Sequence, residues 1–334
     1  MKKRPVRLMF AVSFFLFVFS FSFQALGATF PEEGTTIKYI IPYGAGGGYD
    51  LQSRNFIPFL KKYLPWKKGE IVPINETGAG GYTGCRELFF AKPDGYTIGI
   101  IRIDTVLMPQ ILGQVAKFDI TKYTFLGQFN NLPSFLVTSA KHPFLKSFAD
   151  LKNPPRPVTR NGLASNAQEF LLYRKMGFNM KCIKGYKGTK EAQIAVLQGE
   201  LDTYGGEYSI HASLIKSGDL KGLFYGGDKR LPEAPEVPSL KDLGYEEFAN
   251  KITVDRTPVG PPGIPKDRAE LLKEAVWKAL NDPGFIKLSE KMEIPLVPEN
   301  SENTKNISLD KINFWLKYES EIKAEVVKMG YAIQ

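Results

Sequence analysis

The sequence predicts an α/β protein of two domains joined by two crossings of the chain. Three observations carry this reading: a strand, glycine loop and helix unit that occurs twice near the start, a strand and helix rhythm that restarts near residue 124, and a proline-punctuated return followed by three helical stretches. At 334 residues and 43% hydrophobic content the chain is long enough, and apolar enough, for two domains of ordinary size.

Each element follows from local pattern. Ile37 to Ile41 is a β-branched run between turn residues and reads as a buried strand. Asp50 to Tyr63 has helical apolar spacing through Leu51, Phe56, Phe59, Leu60 and Tyr63, with Pro58 expected to kink it. Ile71 to Ile74 is a second strand, Gly81 to Phe90 a second helix, Pro93-Asp94-Gly95 a turn and Tyr96 to Ile101 a third strand. Alternation at this spacing argues for a parallel sheet covered by helices on both faces. The middle block repeats the rhythm: strands at Phe135 to Ser139, Val158 to Asn161 and Lys181 to Ile183, helices at Ser147 to Leu151, Ala167 to Met176, Thr189 to Gln198 and Ser209 to Lys216, and an extended Leu201 to Tyr204. Seven prolines between Pro232 and Pro265 mark rigid return loops around an extended Ile252 to Val254. Helices at Pro265 to Leu280, Asp282 to Glu293 and Leu309 to Met329 close the chain. The expected division is 28–130 plus 251–334 as the first domain and 131–250 as the second, so the chain leaves its first domain and returns to it.

Residues 1–27 form a separate expectation. Lys2, Lys3, Arg4 and Arg7 precede the apolar run Leu8 to Phe23, which ends near Ala25-Leu26-Gly27, the pattern of a cleaved secretory signal. The run is shorter than the ~20 residues of a membrane span, so the product is expected to be exported and soluble. Four of the 44 Lys and Arg and none of the 35 Asp and Glu lie in this segment, so the formal +9 of the full chain falls to +5 without it. The lysines are dispersed, with no basic run of five, which excludes a nucleic-acid footprint.

Composition also narrows the chemistry. Cys85 and Cys182 are the only thiols, expected to be buried and free, and His142 and His211 the only histidines; neither His neighbours a Cys or a second His, so no metal or heme site is expected. There is no G-x-S-x-G, no Cys beside a His and no acidic pair beside a metal-type His, so no enzyme is expected. The loop Gly44-Ala45-Gly46-Gly47-Gly48-Tyr49 lacks the third glycine of a dinucleotide fingerprint, and Gly78-Ala79-Gly80-Gly81-Tyr82-Thr83 fails in the same way at Thr83. No cofactor is expected. What the two loops do offer is backbone N–H groups at two helix starts, where the helix dipole and the glycine amides favour an anion.

In order along the chain, Ile41-Pro42-Tyr43-Gly44-Ala45-Gly46-Gly47-Gly48-Tyr49-Asp50, Asn75-Glu76-Thr77-Gly78-Ala79-Gly80-Gly81, Pro93-Asp94-Gly95-Tyr96-Thr97, Tyr186-Lys187-Gly188, Gln198-Gly199-Glu200-Leu201-Asp202 and Pro261-Pro262-Gly263-Ile264-Pro265 resemble the substrate-binding proteins of the tripartite tricarboxylate transporter group, the Bug or TctC-like receptors. The resemblance covers about nine tenths of the chain beyond the signal. It implies a type II periplasmic-binding-protein-like fold with two crossover strands at the hinge. The implied function is a periplasmic, monomeric receptor that closes over a small carboxylate and delivers it to a permease of one large and one small membrane subunit. The alternative reading is a periplasmic ligand sensor for a membrane signalling partner on the same fold.

By the resemblance, Tyr43, Gly44, Gly46, Gly47, Gly48, Tyr49 and Asp50 in the first loop, with Gly78, Ala79, Gly80 and Tyr82 in the second, hold the carboxylate through backbone groups and water. Ser165, Asn166 and Ala167 at a helix start, with the turn at Tyr186, answer from the second domain. Arg102, where relatives have small hydroxyl residues, either meets a second ligand carboxylate or is satisfied by Asp104. Glu207 either accepts an ammonium group or lies on the rim, and Arg256 replaces a usual glycine near the hinge.

Overall fold

The computed structural model describes residues 30–113, 118–162, 164–186 and 189–331; the expected signal segment, and positions 187 and 188 of the turn that begins at Tyr186, lie outside them. The first strands form where β-branched residues cluster: β1 (Thr36–Ile41), β2 (Glu70–Asn75) and β3 (Thr97–Ile101), with α1 (Gly48–Lys62) and α2 (Tyr82–Phe90) in the connections. Helix α1 runs through Pro58 without a break in its assignment. A helix not anticipated from sequence, α3 (Ile103–Ile111), follows β3 directly. It is buried along nearly its whole length and apolar except at Asp104, Thr105 and Gln110, so it lacks the one-sided pattern that marks a surface helix. Short strands β4 (Thr124–Phe125) and β5 (Asn130–Pro133) lead out of this half.

The second half holds β6 (Phe135–Ser139), β7 (Val158–Asn161), α4 (Ala167–Lys175), β8 (Met180–Ile183), α5 (Thr189–Gln198), β9 (Thr203–Gly206), α6 (Ala212–Lys216) and β10 (Leu220–Tyr225). The chain returns through β11 (Thr253–Gly260) and ends in α7 (Lys266–Leu280), α8 (Pro283–Lys291), α9 (Ser301–Leu316) and α10 (Glu319–Lys328). The single helix expected over Leu309 to Met329 is thus two, separated at Lys317 and Tyr318. That expected over Ser209 to Lys216 is a 3-10 turn followed by α6.

Two sheets result, ordered β2-β1-β3-β11-β4 and β10-β6-β9-β7-β8. The pairs β1–β2, β1–β3, β7–β8 and β7–β9 are parallel, as alternation with helices predicts. The sheets are nonetheless mixed, because β11 is antiparallel to β3 and β6 is antiparallel to both its neighbours. The crossings explain this: β5 leaves and β11 comes back, so the two run in opposite directions, with Asn130 to Pro133 paired to Arg256 to Thr253.

One face of the first sheet packs Ile37, Tyr39 and Ile41 against Phe56, Leu60, Leu272 and Phe285. The other continues through α3 into the second half, joining Ile40, Leu88 and Met108 to Leu171, Trp315 and Val326 in one buried cluster. The last helix bears on the second half: Arg174 on α4 holds Glu325 on α10 with Nε and Nη2 at 2.5 and 2.6 Å. Among the described residues no helix is long and apolar enough to cross a membrane.

Candidate functional site

The first glycine loop is tied down by its own acid. Asp50 sits in the first turn of α1 and is buried, its Oδ2 accepting the Gly46 N–H at 2.8 Å and its Oδ1 accepting from Arg54 Nε at 2.8 Å and Asn75 Nδ2 at 2.9 Å. Asn75, at the end of β2, also donates to the Tyr43 carbonyl at 2.9 Å, which joins the two glycine loops. Burial pushes the Asp50 carboxyl up, but the Gly46, Asn75 and Arg54 hydrogen bonds outweigh it and hold it below its ordinary value. Asp50 is therefore a fastener of the loop. The backbone of Gly44, Gly46, Gly47 and Gly48 remains exposed, and α1 begins at Gly48, where the first amides of a helix have no partner inside it.

The second loop is a run of left-handed residues: Gly78, Ala79, Gly80 and Gly81 have φ of 129°, 44°, 68° and 101°. At Gly81 the absence of a side chain is required twice over, since a Cβ there would stand 2.6 Å from Tyr43 Cε1 in addition to the positive φ. Gly78, Ala79 and Gly80 are exposed, whereas Tyr82 packs on Phe118 with ring centroids 6.0 Å apart. The Tyr43 and Tyr49 rings pack with centroids 4.2 Å apart, tilted by 42°; Tyr43 Oη bonds Thr105 Oγ1 at 2.9 Å and Tyr49 Oη donates to the Asp255 carbonyl at 2.7 Å. Burial pushes both phenols up, so both stay neutral.

A cavity of about 180 Å³ lies between the halves. The first half contributes Arg102, the crossing segments contribute Ser134 and Val254, and the second half supplies the rest, with Arg160, Asn166, Glu169, Tyr186 and Tyr204 prominent. No residue of the two glycine loops lines it. What stands between them is visible: the Arg256 guanidinium lies 5.0 Å over the Tyr49 ring, a Cβ on Gly48 would come within 3.2 Å of Arg256 Nη2, and Arg256 makes two 2.7 Å bonds to Glu207.

Charged groups are matched across the halves. Arg102, just before α3, donates through Nη2 to Asp104 Oδ2 at 3.2 Å and to the Thr253 carbonyl at 3.3 Å, and stands 3.7 Å from Glu169 Oε1 on α4. Arg160 on β7 donates to Glu169 Oε2, and Asn166 Nδ2 to Glu169 Oε1 at 2.9 Å. Behind them Lys311 of α9 bonds Asp104, Asp255 and Thr253 at 2.9, 3.1 and 3.0 Å. Asp255 Oδ2 accepts the Ile103 N–H at 2.9 Å and so caps α3.

The sequence-derived site residues thus fall in three places. Tyr43 to Asp50 and Gly78 to Tyr82 form the loop face of the first half, while Arg102, Asn166 and Tyr186 meet in the cavity. Ala167 is fully buried in the core and Ser165 is half-buried beside it, so the helix start offers backbone there and not the Ala167 side chain. Neither expectation for Glu207 describes its position: it is 3% exposed, away from any rim, and both of its oxygens are taken by Arg256. Arg102 touches Asp104 and also lines the cavity. Arg160, Glu169, Asp255 and Lys311 escaped the sequence reading because single charged residues in strands and helices carry no motif.

Cys85 and Cys182 are free thiols, the first buried and the second half-buried. His142 is buried against Asp202 at 2.8 Å, and among the described residues no group of His, Cys, Asp and Glu could hold a metal ion.

Two α/β halves joined by antiparallel crossing strands, with a charged cavity between them, define a two-lobed solute-binding protein. The family model described as "Tripartite tricarboxylate transporter family receptor" (TctC) matches residues 67–323, and the chain belongs to that family. Protein BugT of Bordetella pertussis is 25% identical over 323 residues, covering 92% of this chain and 95% of its own. A TctC solute-binding protein from Polaromonas, solved without ligand, has a TM-score of 0.69 at 21% identity over 88% of this chain and 100% of its own. MatC from Rhodopseudomonas palustris, solved with bound malate, has a TM-score of 0.68 at 19% identity over 87% and 99%.

Proposed function

We propose that this protein is a periplasmic receptor that captures a small carboxylate between its two halves and delivers it to a membrane permease of one large and one small subunit, without catalysis. The observation that carries the reading is the cavity of about 180 Å³ between the halves, lined by the half-buried Arg102 from one side and the buried Arg160 from the other. Membership of a transporter receptor family and the malate bound to MatC support the ligand class. Backbone amides at Gly44 to Gly48 and Gly78 to Gly80, other than those of Gly46 and Gly47, which Asp50 and the Gly44 carbonyl already occupy, take one carboxylate, and Tyr43, Tyr49 and Tyr82 line their approach. Asn166, Tyr186 and Arg102 contact the remainder of the ligand. Each charge-assisted hydrogen bond contributes about 1.5–3 kcal/mol, so four to six reach the ~8 kcal/mol of a micromolar site after ordering costs.

Ligand touching both halves favours the arrangement that brings them together. Trp315 reports on this, since it is buried and its Nε1 donates at 3.0 Å to the carbonyl of Lys251, just before β11. Ligand-stripped protein titrated with a broad panel of organic acids is expected to show a saturable change in Trp fluorescence or a thermal shift with at least one acid. A panel without response sinks the proposal.

A further inference from the structure

The last two helices bear on different halves. Helix α9 lies against α3 and β4 of the first half, and its Lys311 Nζ reaches Asp104 on α3 at 2.9 Å and Asp255 on β11 at 3.1 Å. Helix α10 lies against α4 of the second half, with a lesser edge on α3. Its apolar face, Ile322, Val326 and Met329, is buried in the cluster that also holds Leu171 and Leu172 of α4. Its charges point the same way: the buried Glu325 takes both arms of Arg174, and Glu321 Oε2 lies 2.7 Å from Lys175 Nζ. Beyond α10, Lys184 donates to the Gly330 carbonyl and stands 4.0 Å over the Tyr331 ring, while Tyr331 Oη donates to the Gly162 carbonyl at 3.0 Å. Gly162 is part of the cavity wall.

A joint of two residues separates the helices. Helix α9 ends at Leu316, Lys317 follows, and Tyr318 has left helical geometry at φ −104° and ψ 16°. The joint packs beside the strand crossings. Trp315 Nε1 donates to the Lys251 carbonyl at 3.0 Å, and the Phe248 ring lies 6.1 Å from that of Trp315 and 5.6 Å from that of Tyr318. Two residues past Lys251, Thr253 of β11 pairs with Pro133 of β5. Residues at the ends of elements, placed between two bodies in this way, are where a hinge absorbs its change of backbone angle.

We infer that α10 with Tyr331 is a structural part of the second half, and that Lys317 and Tyr318 make a third connection between the halves beside β5 and β11. The sequence places 251–334 with the first domain, and the contacts of 319–331 move that stretch to the second. A third connection restrains the twist that two neighbouring strands leave free. Through Tyr331 it also ties the cavity wall at Gly162 to the joint. The inference does not depend on which ligand the cavity takes.

The test is hydrogen exchange, read by mass spectrometry at neutral pH on the ligand-free wild type and on two variants that each loosen one half. Asp202→Asn weakens the Arg156, His142 and Thr159 contacts inside the second half, and Gly81→Ala strains a loop of the first. Asp202→Asn is expected to speed exchange in α4 and α10 together, by roughly tenfold, and to leave α7, α8 and α9 unchanged. Gly81→Ala is expected to speed α1 and α2 and to leave α10 unchanged. Exchange in α10 that follows α7 and α9 in either variant, or that rises equally in every helix, overturns the inference. Should a variant fail to fold by circular dichroism, or leave its own half unchanged, wild-type exchange in graded denaturant decides the matter. There α10 opening with α4 and separately from α9 upholds the third connection, and any other order overturns it.

Discussion

Replacing Glu207 by Gln is expected to destabilise the fold more than it changes the ligand site. Arg256 and Glu207 are 4% and 3% exposed, 49 residues apart in sequence, and joined by two 2.7 Å bonds that connect a crossing strand to the second sheet. The variant keeps the shape of the side chain but removes its charge and half of its acceptors. The Arg256 guanidinium keeps one neutral acceptor at position 207, the 3.4 Å contact to Asn130 and the face of Tyr49, with no carboxylate left to balance its charge. Breaking one partner of a buried pair costs about 3–5 kcal/mol. At about 2–4 °C per kcal/mol for a large domain, the midpoint should fall by roughly 6 °C or more. Calorimetry supplies the assay. The double variant Glu207→Gln/Arg256→Met should recover most of the loss, since removing both charges leaves no buried ion unpaired. A single-variant shift below roughly 2 °C, or a double variant no better than the single, refutes the reasoning. The outcome also separates this role from an ammonium-binding Glu207, which would cost ligand affinity at little cost in stability.

Gly81→Ala should cost about 1–3 kcal/mol, because φ of 101° and a Cβ 2.6 Å from Tyr43 Cε1 cannot both be relieved without moving the ring; thermal melts and acid titration should both show the loss. His211 is fully buried, and burial lowers its pKa from 6.5 to about 3. The unfolded chain therefore binds a proton that the folded chain does not, so stability is fully present above pH 6.5 and declines by up to about 1.4 kcal/mol per pH unit as pH falls towards 3. Denaturant melts across this range should flatten for His211→Asn. Asp202 accepts from Arg156, His142 and Thr159, which outweigh the upward push of burial and hold its carboxyl far below the usual range. Its contribution is fully present above the ordinary carboxylate pKa and is lost progressively as pH falls from there through the depressed folded value, so the midpoint penalty of Asp202→Asn should be greatest at neutral pH and begin to shrink below about pH 4.

Much of the fold was legible because its causes are local. Ile37 to Ile41 and Ile71 to Ile74 form strands, and the turns between them and their helices need glycine where φ is positive, as at Gly46, Gly78 and Gly80. Helix α3 was not legible, because a helix buried on every side loses the periodicity that distinguishes it. The antiparallel entry of β11 was hidden for another reason: strand direction depends on where the chain returns from. The glycine loops were visible as motifs, while around the cavity Arg160 and Glu169 were ordinary residues until α4 brought them together.

By itself the sequence determined the two glycine loops, the α/β alternation and the departure and return of the chain, because backbone conformational freedom and hydrophobic period act over a few residues. Only the tertiary structure decided which charges meet: Arg256 with Glu207, Lys311 with Asp104 and Asp255, and Arg102 with Arg160 around Glu169. Ion pairs depend on distance in space, and most of these partners are separated by dozens of residues and brought into contact by the two crossings.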